Sequence, residues 1–137
     1  MNSFKNAPRF DHEKLNVYHE SLRFVAVATQ LLEKIPKAVA VHNQLDRAST
    51  GIPLNIAEGS GKFTAPDRCR FFDTARGSAL ECAACLDVLV VKKLLAPHEI
   101  CEAKESLVSV VSMLVGLIKA TAPGRVYEEP GFGLEKE

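Results

Sequence analysis

The chain has 137 residues, of which 47% are apolar and 7% aromatic, and it contains no tryptophan. A chain of this length suits one domain with a core large enough to fold without disulfides or metals, and its many alanine, valine and leucine residues favour packed helices over sheets. Lysine plus arginine equals aspartate plus glutamate at 17 each, which excludes a global attraction to nucleic acid or membranes, so any nucleic-acid site must be a local patch.

The first helix is predicted between residues 11 and 34, after a flexible N-terminal arm formed by residues 1–10, and Pro36 ends its pattern. At 100° per residue, two apolar stripes lie on opposite sides of this helix. One bundle core needs a single stripe, so we expect the first stripe to face the core and the second to meet another partner. The first stripe comprises Leu15, Tyr18, Leu22, Val25, Ala26 and Thr29, and the second comprises Val17, Phe24, Ala28, Leu31 and Ile35.

The second helix is predicted to begin between Lys37 and His42 and to run to Glu58. Pro53 removes a backbone donor and leaves the carbonyl of Ser49 without its helical partner, which predicts a kink near Gly51. One face has the spacing of threes and fours that is typical of a core stripe. That stripe comprises Val41, Leu45, Ala48, Ser49, Ile52 and Ile56.

The opposite face of the second helix carries Arg47, Leu54 and Glu58. Arg47 and Glu58 are eleven residues apart, which places them about 20° apart around the axis but roughly 16 Å apart along it. They therefore cannot pair within one helix. Each is either a solvated charge or pairs with a neighbouring helix or subunit, and we expect this face, including Leu54, to meet a neighbouring subunit.

Residues 59–62 form a Gly-Ser-Gly-Lys connection in which Gly59 suits a left-handed helix cap. The segment superficially resembles a phosphate-binding loop, but Phe63 replaces the required Ser or Thr, an earlier glycine is missing, and a helix precedes it instead of a strand. Nucleotide hydrolysis is therefore not expected. The start of the next helix, with Lys62 and Arg68 nearby, is a candidate site for a single phosphate; the alternative is a plain connecting loop.

The third helix is predicted to begin at a cap formed by Thr64 and Asp67 and to end near Lys93. A second stripe of mainly small and apolar residues on this helix would allow another helix to approach closely. The core stripe comprises Phe71, Ala75, Ser78, Cys82, Leu86 and Leu89, widened by Phe72, Ala79 and Cys85, and the second stripe comprises Gly77, Leu80, Glu81, Ala84, Val88 and Val91.

The fourth helix is predicted from Pro97, which suits a first helical position, to Thr121. Residues 11–121 would then form the bundle domain. The glycine-rich and proline-rich residues 122–137 are expected to form an irregular C-terminal tail. The core stripe of this helix comprises Ile100, Ala103, Leu107, Val110, Val111, Leu114 and Ile118.

The sequence has no apolar signal core at its N-terminus and no stretch of about 18 apolar residues that could span a membrane. We therefore expect a cytoplasmic protein with reduced cysteines. Cys82-x-x-Cys85 and His98-x-x-Cys101 have the residue types of a zinc site. Across two antiparallel helices, however, Cys101 would lie about 6 to 10 Å along the axis from the first pair, so core cysteines and a surface His98 explain the pattern, and no metal or cofactor is expected.

No serine has a nucleophile-elbow context, and the histidines His12, His19, His42 and His98 are scattered. Because no nucleophile, base and orienting group occur together, we expect no enzymatic activity and no small-molecule substrate. The basic residues Lys62, Arg68 and Arg70 are candidate phosphate- or RNA-binding residues, which a ring of subunits would repeat around one rim. The alternative is a solvated helix end.

Two segments resemble a known family. Residues 47–61 carry Arg-Ala-Ser-x-x-Ile-Pro-x-Asn-Ile-Ala-Glu-Gly-x-Gly, and residues 70–81 carry Arg-Phe-x-x-x-Ala-x-Gly-Ser-x-x-Glu. From about Phe10 to Ala120 the chain resembles the four-helix bundle family whose founding members are encoded in intervening sequences of bacterial 23S ribosomal RNA genes. Relatives include the accessory variability determinant of diversity-generating retroelements, which engages RNA and a reverse transcriptase.

The resemblance implies an antiparallel up-down-up-down four-helix bundle that assembles into a homopentameric ring, and it offers no established catalytic residues to carry over. We therefore expect a non-enzymatic scaffold that binds structured RNA or an RNA-processing protein. The alternative is a structural or regulatory protein-binding ring with no nucleic-acid role. The expected subunit interface comprises Arg47, Leu54, Glu58, Leu80, Ala84 and Val88.

Overall fold

The computed structural model describes residues 9–124, which form four α-helices. Each helix packs against two of the others, α1 and α3 both lying against α2 and α4. This arrangement is consistent with a four-helix bundle, and no strand occurs within the described range, so the predicted all-α class is confirmed. The helices are α1 (Asn16–Leu32), α2 (Ala40–Ser60), α3 (Ala65–Val91) and α4 (Cys101–Thr121), with single 3-10 turns at Asp11–Lys14 and Pro97–Ile100.

Of the four α-helices in the described residues, only α3 has a side-chain cap at its N-terminus. The Thr64 hydroxyl accepts a hydrogen bond from the Asp67 amide at 3.2 Å, which confirms the predicted cap of α3. After α3, Lys93 adopts a left-handed conformation with φ of 62°, and the Leu94 amide donates to the Leu89 carbonyl at 2.9 Å. The expected arm, residues 1–10, and the expected tail, residues 122–137, lie almost entirely outside the described residues. No described helix is long and apolar enough to cross a membrane.

The core is built from one stripe of each helix. The predicted core stripes of α2 and α4 are confirmed, because every member is buried except Val111, which is partly buried. The α3 stripe is buried apart from the partly exposed Phe71 and Ser78. Side chains such as Leu45, Ile52 and Leu114 are fully enclosed. Burial of each side chain of this size stabilises the fold by about 1.5 to 3 kcal/mol relative to exposure.

The prediction for α1 was wrong, because the stripe that was expected to meet another partner is the one that lies in the core. The stripe that contains Val17, Phe24 and Leu31 is buried in the core. The other stripe is partly buried at Leu15 and Tyr18 and exposed at Ala26. Phe24 has the largest apolar side chain on this helix, so turning this stripe inward removes more apolar surface from water.

Gly59 determines how closely the end of α2 approaches the beginning of α3. A Cβ atom at Gly59 would lie 2.8 Å from Cε1 of the buried Phe72 and 3.0 Å from both the carbonyl oxygen of Arg68 and the Cβ of Phe71. The predicted left-handed cap at Gly59 is wrong, since α2 continues to Ser60 and no described glycine has a positive φ. A glycine is needed at this position for its lack of a side chain.

Pro53 lies inside α2, which continues without a break to Ser60. The side-chain amide of Asn55 donates a hydrogen bond to the Gly51 carbonyl at 2.8 Å. The Gly51 carbonyl, close to the proline in the helix, thus accepts a hydrogen bond from a side chain. The kink that was expected near Gly51 stays a prediction.

Polar contacts join specific positions on neighbouring helices and loops. Cys69 near the beginning of α3 has its Sγ 3.9 Å from the carbonyl oxygen of Ile118 near the end of α4. Lys104 near the beginning of α4 binds Asp87 near the end of α3 at 2.8 Å. The loops before α2 and after α3 are joined by Lys34 and Glu99, whose side chains are also 2.8 Å apart.

A polar contact also fixes α1 against α4. The Ser106 hydroxyl donates to the Glu20 carboxylate at 2.7 Å, and Arg23 binds the same carboxylate at 2.8 Å. Burial alone would raise the pKa of Glu20, but the hydrogen bonds from Arg23 and Ser106 outweigh it and hold the pKa below its usual range. Glu20 is therefore ionised at neutral pH.

The close contact at Gly59 makes a testable prediction. Gly59→Ala should lower the free energy of unfolding by about 1 to 3 kcal/mol, because the new methyl group overpacks a buried contact. The matched control is Gly116→Ala in α4, where nothing lies within 4 Å of an added Cβ and alanine is the better helix former by about 0.5 to 1 kcal/mol. Urea unfolding followed by circular dichroism measures both, and equal stabilities for the two variants would contradict this packing.

Candidate functional site

The connection between α2 and α3, residues 61–64, is held at both ends by hydrogen bonds. The Gly61 amide donates to the Glu58 carbonyl at 3.2 Å, and the Lys62 amide donates to the Gly59 carbonyl at 3.1 Å. On the other side, Thr64 caps α3 through its hydroxyl. Together with the packing at Gly59, these bonds fix the direction in which the side chains of the connection leave the bundle.

Two cations of this region converge on one aromatic ring. The Nζ of Lys62 lies 5.1 Å from the centroid of the Phe71 ring, and the Cζ of Arg70 lies 4.9 Å from the same centroid. Both distances are within the range of a cation–π interaction. The structure therefore brings together two of the three predicted phosphate-binding residues, although they are eight positions apart in the chain.

Each of these cations also has a carboxylate neighbour at 3.5 Å, Glu58 for Lys62 and Asp67 for Arg70. Both pairs are in contact with solvent, and such pairs contribute about 0 to 1 kcal/mol each. A phosphate oxygen could replace either carboxylate at little cost. Glu58 thus has a partner in its own chain, an arrangement that the sequence analysis did not consider.

Phe63 is fully exposed, with a relative accessibility of 101%. It follows Lys62 directly in the chain and precedes the capping residue Thr64. In the sequence, Phe63 stood out only as a mismatch to the phosphate-loop motif, and it was not among the predicted binding residues. The alternation of a cation with an aromatic residue in Lys62-Phe63 and again in Arg70-Phe71 is the signal that could have identified it.

Arg68, the third predicted phosphate-binding residue, lies apart from the contacts on Phe71. Its side chain is partly buried, and its Nε is enclosed without a hydrogen-bond partner. The Nε of Arg76, two turns further along α3, is also enclosed without a hydrogen-bond partner. The carbonyl of Arg68 lies in the close contact with Gly59, so the position of Arg68 is tied to the packing of the corner.

The residues of the expected subunit interface lie on the solvent side of α2 and α3. Leu54 is 62% exposed, Leu80 48% and Val88 40%, and Arg47 and Ala84 are also exposed. Arg47 has no ion-pair partner within residues 9–124. Exposed Leu and Val side chains on two adjacent helices are available to another molecule, and their role as an interface stays a prediction.

The cysteines do not form a cluster with His98. Cys69, Cys82 and Cys85 are free and buried, whereas Cys101 is free and exposed, so the expectation that all the cysteines lie in the core is wrong for Cys101. Burial raises the pKa of Cys82 to about 12, with smaller contributions from Cys85 and Glu81, and burial also raises the pKa of Cys85. Within the described part of the chain, no group of three or more potential metal ligands occurs.

Comparison with known proteins identifies a family and a fold. The model of a family described as 23S rRNA-intervening sequence protein matches residues 13–116. A solved structure from Bacteroides thetaiotaomicron, described as a protein with unknown function from the S23 ribosomal protein family, has a TM-score of 0.71 and 21% sequence identity, and the match covers 75% of this chain and 98% of that chain. At this identity the likeness shows the fold alone. No curated protein matches the chain.

The burial of the cysteines predicts their order of reactivity. In the folded protein at pH 8, a thiol reagent such as DTNB should label Cys101 rapidly and the three buried cysteines only as fast as the protein opens, because burial keeps the reagent away from their thiols. For Cys82 and Cys85, burial also raises the pKa and so lowers the fraction of reactive thiolate. Cys101→Ser should remove the rapid phase, and full labelling should return in urea. Rapid labelling of two or more thiols per folded chain would contradict the packing of Cys82 and Cys85.

Proposed function

The chain belongs to the family of 23S rRNA-intervening sequence proteins, and from this premise we propose that it is a non-enzymatic, homo-oligomeric scaffold that binds structured RNA. The RNA-binding surface is the corner between α2 and α3, formed by Lys62, Arg70, Phe63 and Phe71. The observation that carries the proposal is the convergence of Lys62 and Arg70 on the Phe71 ring, together with the full exposure of Phe63, which follows Lys62 in the chain.

Charge and aromatic character together support RNA as the ligand. The chain is neutral as a whole, with 17 basic and 17 acidic residues, so affinity for a polyanion must come from a local group of cations. The corner supplies such a group, and its carboxylates belong to weak, solvated pairs. Aromatic rings among cations are typical of surfaces that bind unpaired nucleotides. Arg68 belongs to the same end of α3 and adds a third cation near the corner.

The proposed bundle is antiparallel, with the helices running up, down, up and down. The contacts of Cys69 with Ile118 and of Lys104 with Asp87 support this order for α3 and α4. The contacts of Gly51 with Ser78 and of Gly59 with Phe72 support it for α2 and α3. In this arrangement the α2–α3 corner lies at one end of the described bundle.

Assembly into a ring, which we propose to be a pentamer, would use the exposed sides of α2 and α3. Leu54, Leu80 and Val88 leave apolar surface in contact with water, and a head-to-tail contact would remove it. A ring would also repeat the α2–α3 corner once per subunit. Several weak phosphate contacts on one assembly then act together, which raises the affinity for a single RNA molecule.

A second candidate function is a protein-binding ring without a nucleic-acid role. The same exposed Leu54, Leu80 and Val88 favour it, because apolar side chains at a surface are typical of contacts between proteins. In this alternative, Lys62 and Arg70 serve only to cover the Phe71 ring. The two functions differ in whether RNA binds at low salt.

We propose a cytoplasmic location for the protein. We also propose that it carries out no catalytic step. The buried polar residues in the described range are Ser21, Ser49, Ser60 and Ser106. Three of these hydroxyls donate to carbonyl oxygens within their own helices, and Ser106 donates to Glu20. Structural hydrogen bonds therefore account for all four, and none is paired with a histidine as a nucleophile would be.

RNA binding can be tested by charge reversal. In fluorescence anisotropy with a structured RNA, the triple variant Lys62→Glu, Arg68→Glu and Arg70→Glu should lose binding at moderate salt. The plot of the logarithm of affinity against the logarithm of salt concentration should become less steep, its negative slope decreasing in magnitude by about 2. This value corresponds to three lost phosphate contacts at about 0.7 each with single-stranded nucleic acid.

The matched control reverses Lys37, Lys92 and Lys93, which are exposed in the two loops that Lys34 and Glu99 join. It makes the same change in net charge and should keep the wild-type affinity. Equal losses in the two triple variants, or no RNA binding by the wild type at low salt, would contradict the proposed RNA site.

Assembly is tested separately by Leu54→Asp. Multi-angle light scattering of the wild type should give about five times the chain mass of 15.0 kDa, and Leu54→Asp should give a single chain with unchanged helix content, because an aspartate would be desolvated at the interface. Ala26→Asp, at an exposed position of α1, is the control and should leave the mass unchanged. A wild-type mass of 15.0 kDa would disprove the proposed ring.

A further inference from the structure

The exposed ring of Phe63 narrows the kind of RNA that the corner can bind. Its relative accessibility is 101%, whereas Phe24 and Phe72 are fully buried and Phe71 is partly buried. Phe63 is thus a large aromatic side chain with no role in the packing of residues 9–124. Resting on the function proposed above, we propose that Phe63 stacks on an unpaired base of the bound RNA.

The backbone holds Phe63 in place before any ligand arrives. The residues on both sides are fixed, Lys62 by its amide bond to the Gly59 carbonyl at 3.1 Å and Thr64 by its bond from the Asp67 amide at 3.2 Å. Gly59 packs against Phe72 and holds the whole corner on α3. A pre-ordered backbone leaves only the side-chain torsions of Phe63 to be fixed on binding, so more of the stacking energy appears as affinity.

The rings of Phe71 and Phe63 differ in whether cations lie against them. The Phe71 ring is already engaged by Lys62 at 5.1 Å and by Arg70 at 4.9 Å. The Phe63 ring is free on its faces, and its chain neighbour Lys62 carries the nearest cation in sequence. The phosphates next to a base that stacks on Phe63 would lie within reach of Lys62 and Arg70, which Phe71 positions. Phe63 thus provides the stacking surface, and Phe71 holds the cations that bind phosphate.

The geometry selects for unpaired nucleotides. A base inside an RNA helix is stacked on both sides, and the deep, narrow major groove of the helix does not admit side chains. A base in a loop or bulge has a free face, and stacking on an aromatic side chain is tolerant of sequence. The ligand class is therefore RNA with unpaired bases beside a helix, bound with little sequence preference at this position.

The experiment compares two fluorescently labelled RNAs of equal length, a hairpin with about ten unpaired loop nucleotides and a blunt duplex. Phe63→Leu keeps an apolar side chain of similar size but removes the ring, and it should lower the affinity for the hairpin by about 5- to 100-fold with a much smaller effect on the duplex. Phe63→Trp should retain the affinity of the wild type for the hairpin.

The controls separate this inference from the function on which it rests. If Phe63→Leu binds the hairpin as well as the wild type, while Lys62→Glu with Arg70→Glu weakens binding to both RNAs, base stacking is disproved and RNA binding stands. No binding of either RNA by the wild type at low salt overturns both. A change in the mass of the assembly on Phe63→Leu would place the ring in a contact between proteins and would also overturn the inference.

Discussion

The close packing of Gly59 against Phe72 is the contact on which the proposed RNA-binding end of the molecule depends. A Cβ at Gly59 would come within 2.8 Å of the Phe72 ring, so any other residue would push α2 away from α3. The same approach sets the positions of the loop between them and of the Phe71 ring, on which Lys62 and Arg70 converge. A packing constraint in the core thus determines where charges and aromatic groups lie on the surface.

Periodicity in the sequence was sufficient for α2 and α4 and misleading for α1. The helices α2 and α4 have one continuous apolar stripe each, so only one face can turn inward. The helix α1 has two, and Phe24 and Val17 occupy the one that faces the core. The spacing of the apolar residues alone does not decide which of the two stripes faces the core. The sizes of their side chains do, and the stripe that contains Phe24 has more apolar surface to bury.

The candidate site was predicted in part. Lys62 and Arg70 were identified from their place around the α2–α3 connection, but their meeting on Phe71 depends on the side-chain geometry at a helix start, which has no sequence period. Arg68 was included by proximity in sequence, and its Nε is enclosed. Phe63 was not predicted as a binding residue because an exposed aromatic residue is unexpected from hydropathy, although aromatic residues among cations are typical of surfaces that bind single-stranded nucleic acid.

The α2–α3 corner is the proposed RNA-binding surface of the protein. Ultraviolet cross-linking of a structured RNA containing 4-thiouridine in its loop, followed by mass spectrometry of the digested protein, tests it directly. The cross-linked peptides should lie within residues 57–76, which include Phe63 and Phe71. Cross-links confined to the α1–α2 and α3–α4 loops, or no cross-link at low salt, would contradict the claim.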